Sequence, residues 1–104
     1  MDTLARLEQT IRQRRGASPD ESYVAKLMSR GLPELARKVG EEAVETLVAA
    51  ISLEKQELVG EAADLLFHLL LLLDARDVTL ADVLAELDRR EGTSGLAEKA
   101  ARGA

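Results

Sequence analysis

Residues 61–73 read EAADLLFHLLLLL, from Glu61 to Leu73, and the reading of this stretch decides the fold. It is nearly as apolar as a helix of a soluble protein becomes, yet it carries Glu61, Asp64 and His68. Burying a charge costs several kcal/mol unless something compensates it, so the carboxylates need a reason. The residues around the stretch point to an all-α fold: Leu, Ala, Glu and Arg dominate and β-branched residues are sparse.

Working outward, helical spacing and breakers divide the 104 residues into about six helical pieces within one domain. Residues 2–15 place Leu4, Leu7 and Ile11 on one face, and GASPD then interrupts the chain. A short helix over 21–30 ends at Gly31, and Pro33 suits the first turn of the next, over 33–52. The apolar stretch belongs to a helix over 54–75. Thr79 and Asp82 form a capping-box pattern for a helix reaching about Arg90, and LAEKAAR makes a short final helix after EGTSG. The simplest architecture is two long antiparallel helices joined by a tight turn near 52–55, with shorter helices around them.

Composition excludes several classes of function. There is no cysteine, hence no disulfide framework or thiolate metal site, which fits a cytoplasmic location. The apolar run is too short and too interrupted to span a bilayer, and no signal-peptide pattern precedes it. With a net charge of −5 and Tyr23 and Phe67 as the only aromatic residues, the chain is a poor binder of nucleic acid.

On a helical wheel the third helix gathers Val39, Ala43, Val44, Leu47, Val48, Ala50 and Ile51 on a broad apolar arc, with Glu41 and Glu45 at its edge and Glu42 farther round. On the fourth, Glu57, Glu61, Asp64 and His68 share a stripe about 60° wide. Solvated faces explain most helical charge runs, and Arg37–Glu41 and Lys38–Glu42 have the spacing of ordinary surface pairs. Glu45 and Glu61 differ: their neighbours four residues back are Glu41 and Glu57, like charges. A helix apolar almost all round is expected to be buried, so its acidic stripe faces protein or a cleft rather than open water. Crowded carboxylates there shift their pKa or recruit a cation. Glu42/Glu45 and Glu61/Asp64, each spaced i,i+3, offer hard oxygen donors suited to Mg²⁺, with Mn²⁺ as a substitute.

Glu42-x-x-Glu45, fifteen residues, then Glu61-x-x-Asp64 resembles the paired carboxylate signature of the MazG-like all-α nucleotide pyrophosphohydrolases. SYVAKLMSRGLPELARKVGEEAVE, EAADLLFHLLLLL and DVLAELDRREGTSGLAEKAAR together resemble the phosphoribosyl-ATP pyrophosphohydrolase family, over nearly the whole chain. The resemblance implies hydrolysis of phosphoribosyl-ATP to phosphoribosyl-AMP and pyrophosphate, the second step of histidine biosynthesis, by a Mg²⁺-dependent homodimer. Glu42, Glu45, Glu61 and Asp64 would hold the metal, and Glu41 would orient or deprotonate the attacking water. Lys38 and Lys26 would contact phosphates, and Ser94, Lys99 and Arg102 would close over the substrate from either subunit.

One departure is Arg37-Lys38 where family members often carry two lysines, and a guanidinium does not simply replace an ammonium. No cyclohydrolase domain accompanies the sequence, so one step is expected. Competing readings are a solvated face for Lys26 and Arg30, a hydrogen-bonded core residue for His68, and core packing for Tyr23. The alternative activity is a house-cleaning (d)NTP pyrophosphohydrolase with the same metal cage. A non-catalytic helical dimerisation module is the rival of another class. A di-iron carboxylate bundle is set aside, because it asks for Glu-x-x-His pairs and the chain has one histidine.

Overall fold

The computed structural model describes residues 2–52 and 54–103, and every regular element among them is a helix. The order is α1 (Thr3–Arg14), α2 (Tyr23–Ser29), α3 (Leu32–Ile51), α4 (Lys55–Ala75), α5 (Leu80–Arg90) and α6 (Gly95–Ala101). Local chemistry explains the boundaries. Asp2, Ser22, Thr79 and Ser94 cap α1, α2, α5 and α6 through their side-chain oxygens, and Thr79 with Asp82 closes the expected capping box. Gly31, at φ 90, separates α2 from α3, and Pro33 sits in the first turn of α3. At the end of α4, Asp77 takes φ 56, Asp77 N–H bonds to Asp74 O and Val78 N–H to Leu73 O. That pair of bonds is a Schellman stop.

α3 and α4 form a helical hairpin that is the spine of the molecule. The tight turn expected there includes Leu53, which lies outside the described residues, as do Met1 and Ala104 of the single expected domain. The Thr46 hydroxyl lies 2.7 Å from Glu42 O and 3.2 Å from Glu61 O, so its one proton ties the α3 backbone to the α4 backbone and sets their register.

The core sits at one end of the hairpin. Ile11, Val24, Leu27, Leu35, Leu70 and Leu71 form it, with Leu4, Leu7, Met28, Phe67 and Leu80 against it. Buried Asp74 pins α1 there: Arg15 Nη1 donates to its Oδ2 at 2.8 Å and to its carbonyl at 3.2 Å, and Arg12 Nε is 3.5 Å from Oδ1. Glu8 Oε2 accepts the Leu80 N–H at 2.6 Å and fixes the start of α5. Beyond that anchor α5 carries no buried residue.

The two long helices correct part of the expectation. The apolar arc of α3 is not core: Val44, Leu47, Val48 and Ile51 are exposed, and the buried positions are Leu35, Glu42 and Ala49. α4 is not buried all round either, because Val59, Leu66 and Leu69 face solvent while His68, Leu70, Leu71 and Asp74 are buried. α1 and α2 cover only the half of the hairpin that holds Leu35, Leu70 and Leu71. Among the described residues, Val44, Leu47, Val48, Ile51 and Val59 of the other half are left exposed.

Candidate active site

Leu35, Glu42 and Ala49 are spaced seven apart on α3, the interval at which a helix presents the same seam to a partner helix. Glu42 therefore enters the α3–α4 contact where an apolar residue is the usual occupant, and only 6% of it is exposed. Lys38 Nζ stands 3.6 Å from its Oε1, whereas Oε2 is buried without a hydrogen-bond partner. Across the seam Glu61 has the same defect: its Oε2 is buried and unpartnered.

One carboxylate oxygen from each of Glu42, Glu45 and Glu61 lies within 4.8 Å of the other two. Among the described residues no cation forms an ion pair with Glu45, Glu61 or Asp64. The Glu61 carboxyl is pushed above the ordinary glutamate value. Its hydrogen bond with Glu45 is the largest cause, followed by burial and then by the negative charges of Glu45, Glu42 and Asp64. Two glutamates can share a hydrogen bond only by sharing a proton, which a divalent cation would displace. The donor set is all oxygen, two of its buried atoms lack partners, and Lys38 beside Glu42 is the one cation paired with it among the described residues. These residues fit a hard divalent ion.

Asp64 is exposed and stands outside the three-carboxylate group, although its charge reaches Glu61. Glu57, on the acidic stripe of α4, is a site residue beyond the four expected ligands. It lines, with Glu45, Glu61, Val44, Val48 and Ala49, an open cleft of about 390 Å³ beside the cluster. Its spacing four residues before Glu61 was the available signal.

Glu41 is held by two cations: Arg37 Nη1 pairs with its Oε1, and Lys38 Nζ lies 3.8 Å from Oε2. Arg37 also bonds Glu34, whose carboxyl is lowered chiefly by that hydrogen bond. Lys38 thus sits between Glu41 and Glu42, beside the cluster. Lys26 is exposed on α2 and lines a different cavity, with Tyr23.

The structure does not gather the tail residues at this site. Ser94 caps α6 through Ala97 N–H, Arg102 Nε faces Glu98 at 3.8 Å, and exposed Lys99 is on the same helix, which shares no substantial packing with α3 or α4. His68 is buried, as its core reading required. Its Nδ1 is 2.8 Å from the Asp64 carbonyl, which can only accept, so Nδ1 carries the proton and Nε2 is left buried without a partner. Tyr23 departs from the core-packing reading: the residue is 57% exposed.

Comparison with known proteins places these residues in a recognised sequence class. The model of the phosphoribosyl-ATP pyrophosphohydrolase family matches residues 4–91. A protein of Erythrobacter litoralis named phosphoribosyl-ATP pyrophosphatase is 66% identical over 103 residues, covering 99% of each chain. One of the same name from Novosphingobium aromaticivorans is 62% identical over 101 residues, covering 97% of this chain and 94% of its own.

Proposed function

Because the chain belongs to the phosphoribosyl-ATP pyrophosphohydrolase family, we propose that it hydrolyses phosphoribosyl-ATP to phosphoribosyl-AMP and pyrophosphate with Mg²⁺, the second step of L-histidine biosynthesis. One observation carries the metal-dependent reading. Glu42 and Glu61 each keep a buried, unpartnered carboxylate oxygen in a seam shared with Glu45. Leaving such atoms unpaired costs about 1–3 kcal/mol each, more when charged, so the arrangement makes physical sense as a cation site.

Glu42, Glu45 and Glu61 would hold the ion, with Asp64 as the fourth ligand. When bound, it offsets phosphate charge and stabilises the negative charge that develops on the leaving pyrophosphate. The chain supplies the rest. Lys38 exchanges its contacts with Glu41 and Glu42 for a phosphate oxygen, acting as a point charge. Glu41, released by Lys38 and still oriented by Arg37, takes the proton of the attacking water on its other oxygen. The water oxygen bonds to the α-phosphorus, the bridging bond to the β-phosphate breaks, and its electron pair leaves with pyrophosphate.

The functional unit in this reading is a homodimer in the cytoplasm, formed through the uncovered half of the hairpin. The exposed side chains of Val44, Leu47, Val48 and Ile51 on α3 and of Val59 and Leu66 on α4 support it. An apolar face of that extent is characteristic of an interface. Ser94, Lys99 and Arg102 are left out of the subunit's own site.

The test is Glu42→Gln, which keeps size and removes charge. Pyrophosphate release from phosphoribosyl-ATP should fall roughly 100- to 1,000-fold while the far-ultraviolet helical signal persists. Near-normal turnover would overturn the ligand assignment. Faster hydrolysis of dNTPs than of phosphoribosyl-ATP by the unaltered chain would replace the substrate.

A further inference from the structure

The aromatic residues of the described chain are stacked on each other. The Tyr23 and Phe67 ring centroids are 6.2 Å apart with planes 13° from parallel, and Phe67 meets His68 edge-on at 5.1 Å. Phe67 and His68 follow Asp64 by three and four residues on α4, so the row of rings begins about one helical turn from the carboxylate stripe. It ends at Tyr23, which stacks on Phe67 and is an exposed residue.

That ring borders an open cavity of about 380 Å³, lined by Pro19, Asp20, Glu21, Ser22, Tyr23 and Lys26. Its size falls in the range of small-molecule sites, about 300–1,000 Å³. An exposed tyrosine alone means little. This one is pre-ordered by its stack, faces a cavity, and is joined ring by ring to the helix that carries Glu61 and Asp64. The cavity has one cationic and two acidic side chains, which disfavours a phosphate there and suits a neutral heterocycle with amino and hydroxyl groups.

We propose that Tyr23 is a base platform: the purine ring of the nucleotide stacks on its open face while the phosphates lie at the carboxylate cluster. The inference rests on the nucleotide reading above and assigns the base its place in that same site. Stacking on aromatic faces tolerates a substituted purine, because it uses the π-face rather than the ring edge. Tyr23 thus sets affinity and leaves the chemical step to the carboxylates.

The sequence contains one tyrosine and no tryptophan, so ultraviolet protein fluorescence reports Tyr23 almost alone. AMP, corrected for its own absorbance, should quench it saturably. A mixture of ribose 5-phosphate and pyrophosphate, which lacks the base, should not. Tyr23→Ala should raise the KM for phosphoribosyl-ATP roughly 10- to 100-fold with kcat changed by no more than a few-fold, and Tyr23→Phe, which keeps the ring, should recover most of the loss.

Absence of quenching by AMP through the millimolar range overturns the platform, as does an unchanged KM in Tyr23→Ala. The two readings fail separately. Saturable AMP quenching in a chain that does not hydrolyse phosphoribosyl-ATP keeps the platform and removes the activity, whereas hydrolysis without quenching does the reverse.

Discussion

Glu45 is the residue on which the metal-free state turns. Exposed at the cleft, without an ion pair among the described residues, it lies beside Glu61 and is the largest cause of that carboxyl's raised pKa. The sign of the linkage follows. With its pKa above the ordinary 4.5, Glu61 holds its proton in the folded state after the unfolded chain has lost it. The stability associated with that proton is therefore present below the unfolded value and lost as pH rises through the raised one. Glu45→Gln removes the like charge, so in EDTA at neutral pH the variant should melt no lower than the parent. Mg²⁺ should raise the melting temperature of the parent and do so less for the variant. Thermal melts with and without the ion check both, and a variant several degrees less stable in EDTA would mean that Glu45 contributes packing rather than repulsion.

α5 is tied to α6 by charge. Glu86 accepts from Arg89 and Arg90, and buried Glu98 pairs with Arg89 at 2.5 Å. The Arg89 and then the Arg90 hydrogen bonds hold the Glu86 carboxyl down at about 2. A depressed carboxylate contributes its stability above its unfolded pKa and loses it as pH falls through the folded one. The stability that Glu86 lends to α5 through these pairs should therefore be lost between about pH 4.5 and 2. Amide protection in residues 80–90 should fall over that window in the parent, and Glu86→Gln should flatten the dependence. At this scale the sequence read well. Thr79 and Asp82 announced the α5 start and Gly31 the break before α3, because caps and breakers act within one turn of chain. The exposure of Val44, Leu47, Val48 and Ile51 did not read, because a helical wheel gives angles around an axis and says nothing of what the axis packs against.

The molecule is more open than a compact chain of its length. Its accessible surface is 7241 Å², against about 5,700 Å² for a compact chain of 11.3 kDa. Its radius of gyration is 15.8 Å, against about 13 Å for a domain of this length. The excess includes the apolar half of the α3–α4 hairpin and the extended α5–α6 arm. Sedimentation should find a particle of twice the subunit mass, and Leu47→Glu should shift it to the monomer, since placing a charge on that face opposes its burial. A parent that sediments as a monomer at micromolar concentration would refute the interface. By itself the sequence determined the helices, their ends and the paired carboxylate spacing, all of which depend on residues within a few positions of one another. Only the tertiary structure decided that, of the four expected ligands, Glu42 rather than Asp64 is buried, that Tyr23 is exposed, and that half of a leucine-rich hairpin is left uncovered. Burial belongs to no helix alone: it is set by which elements stack and how far along each other they reach.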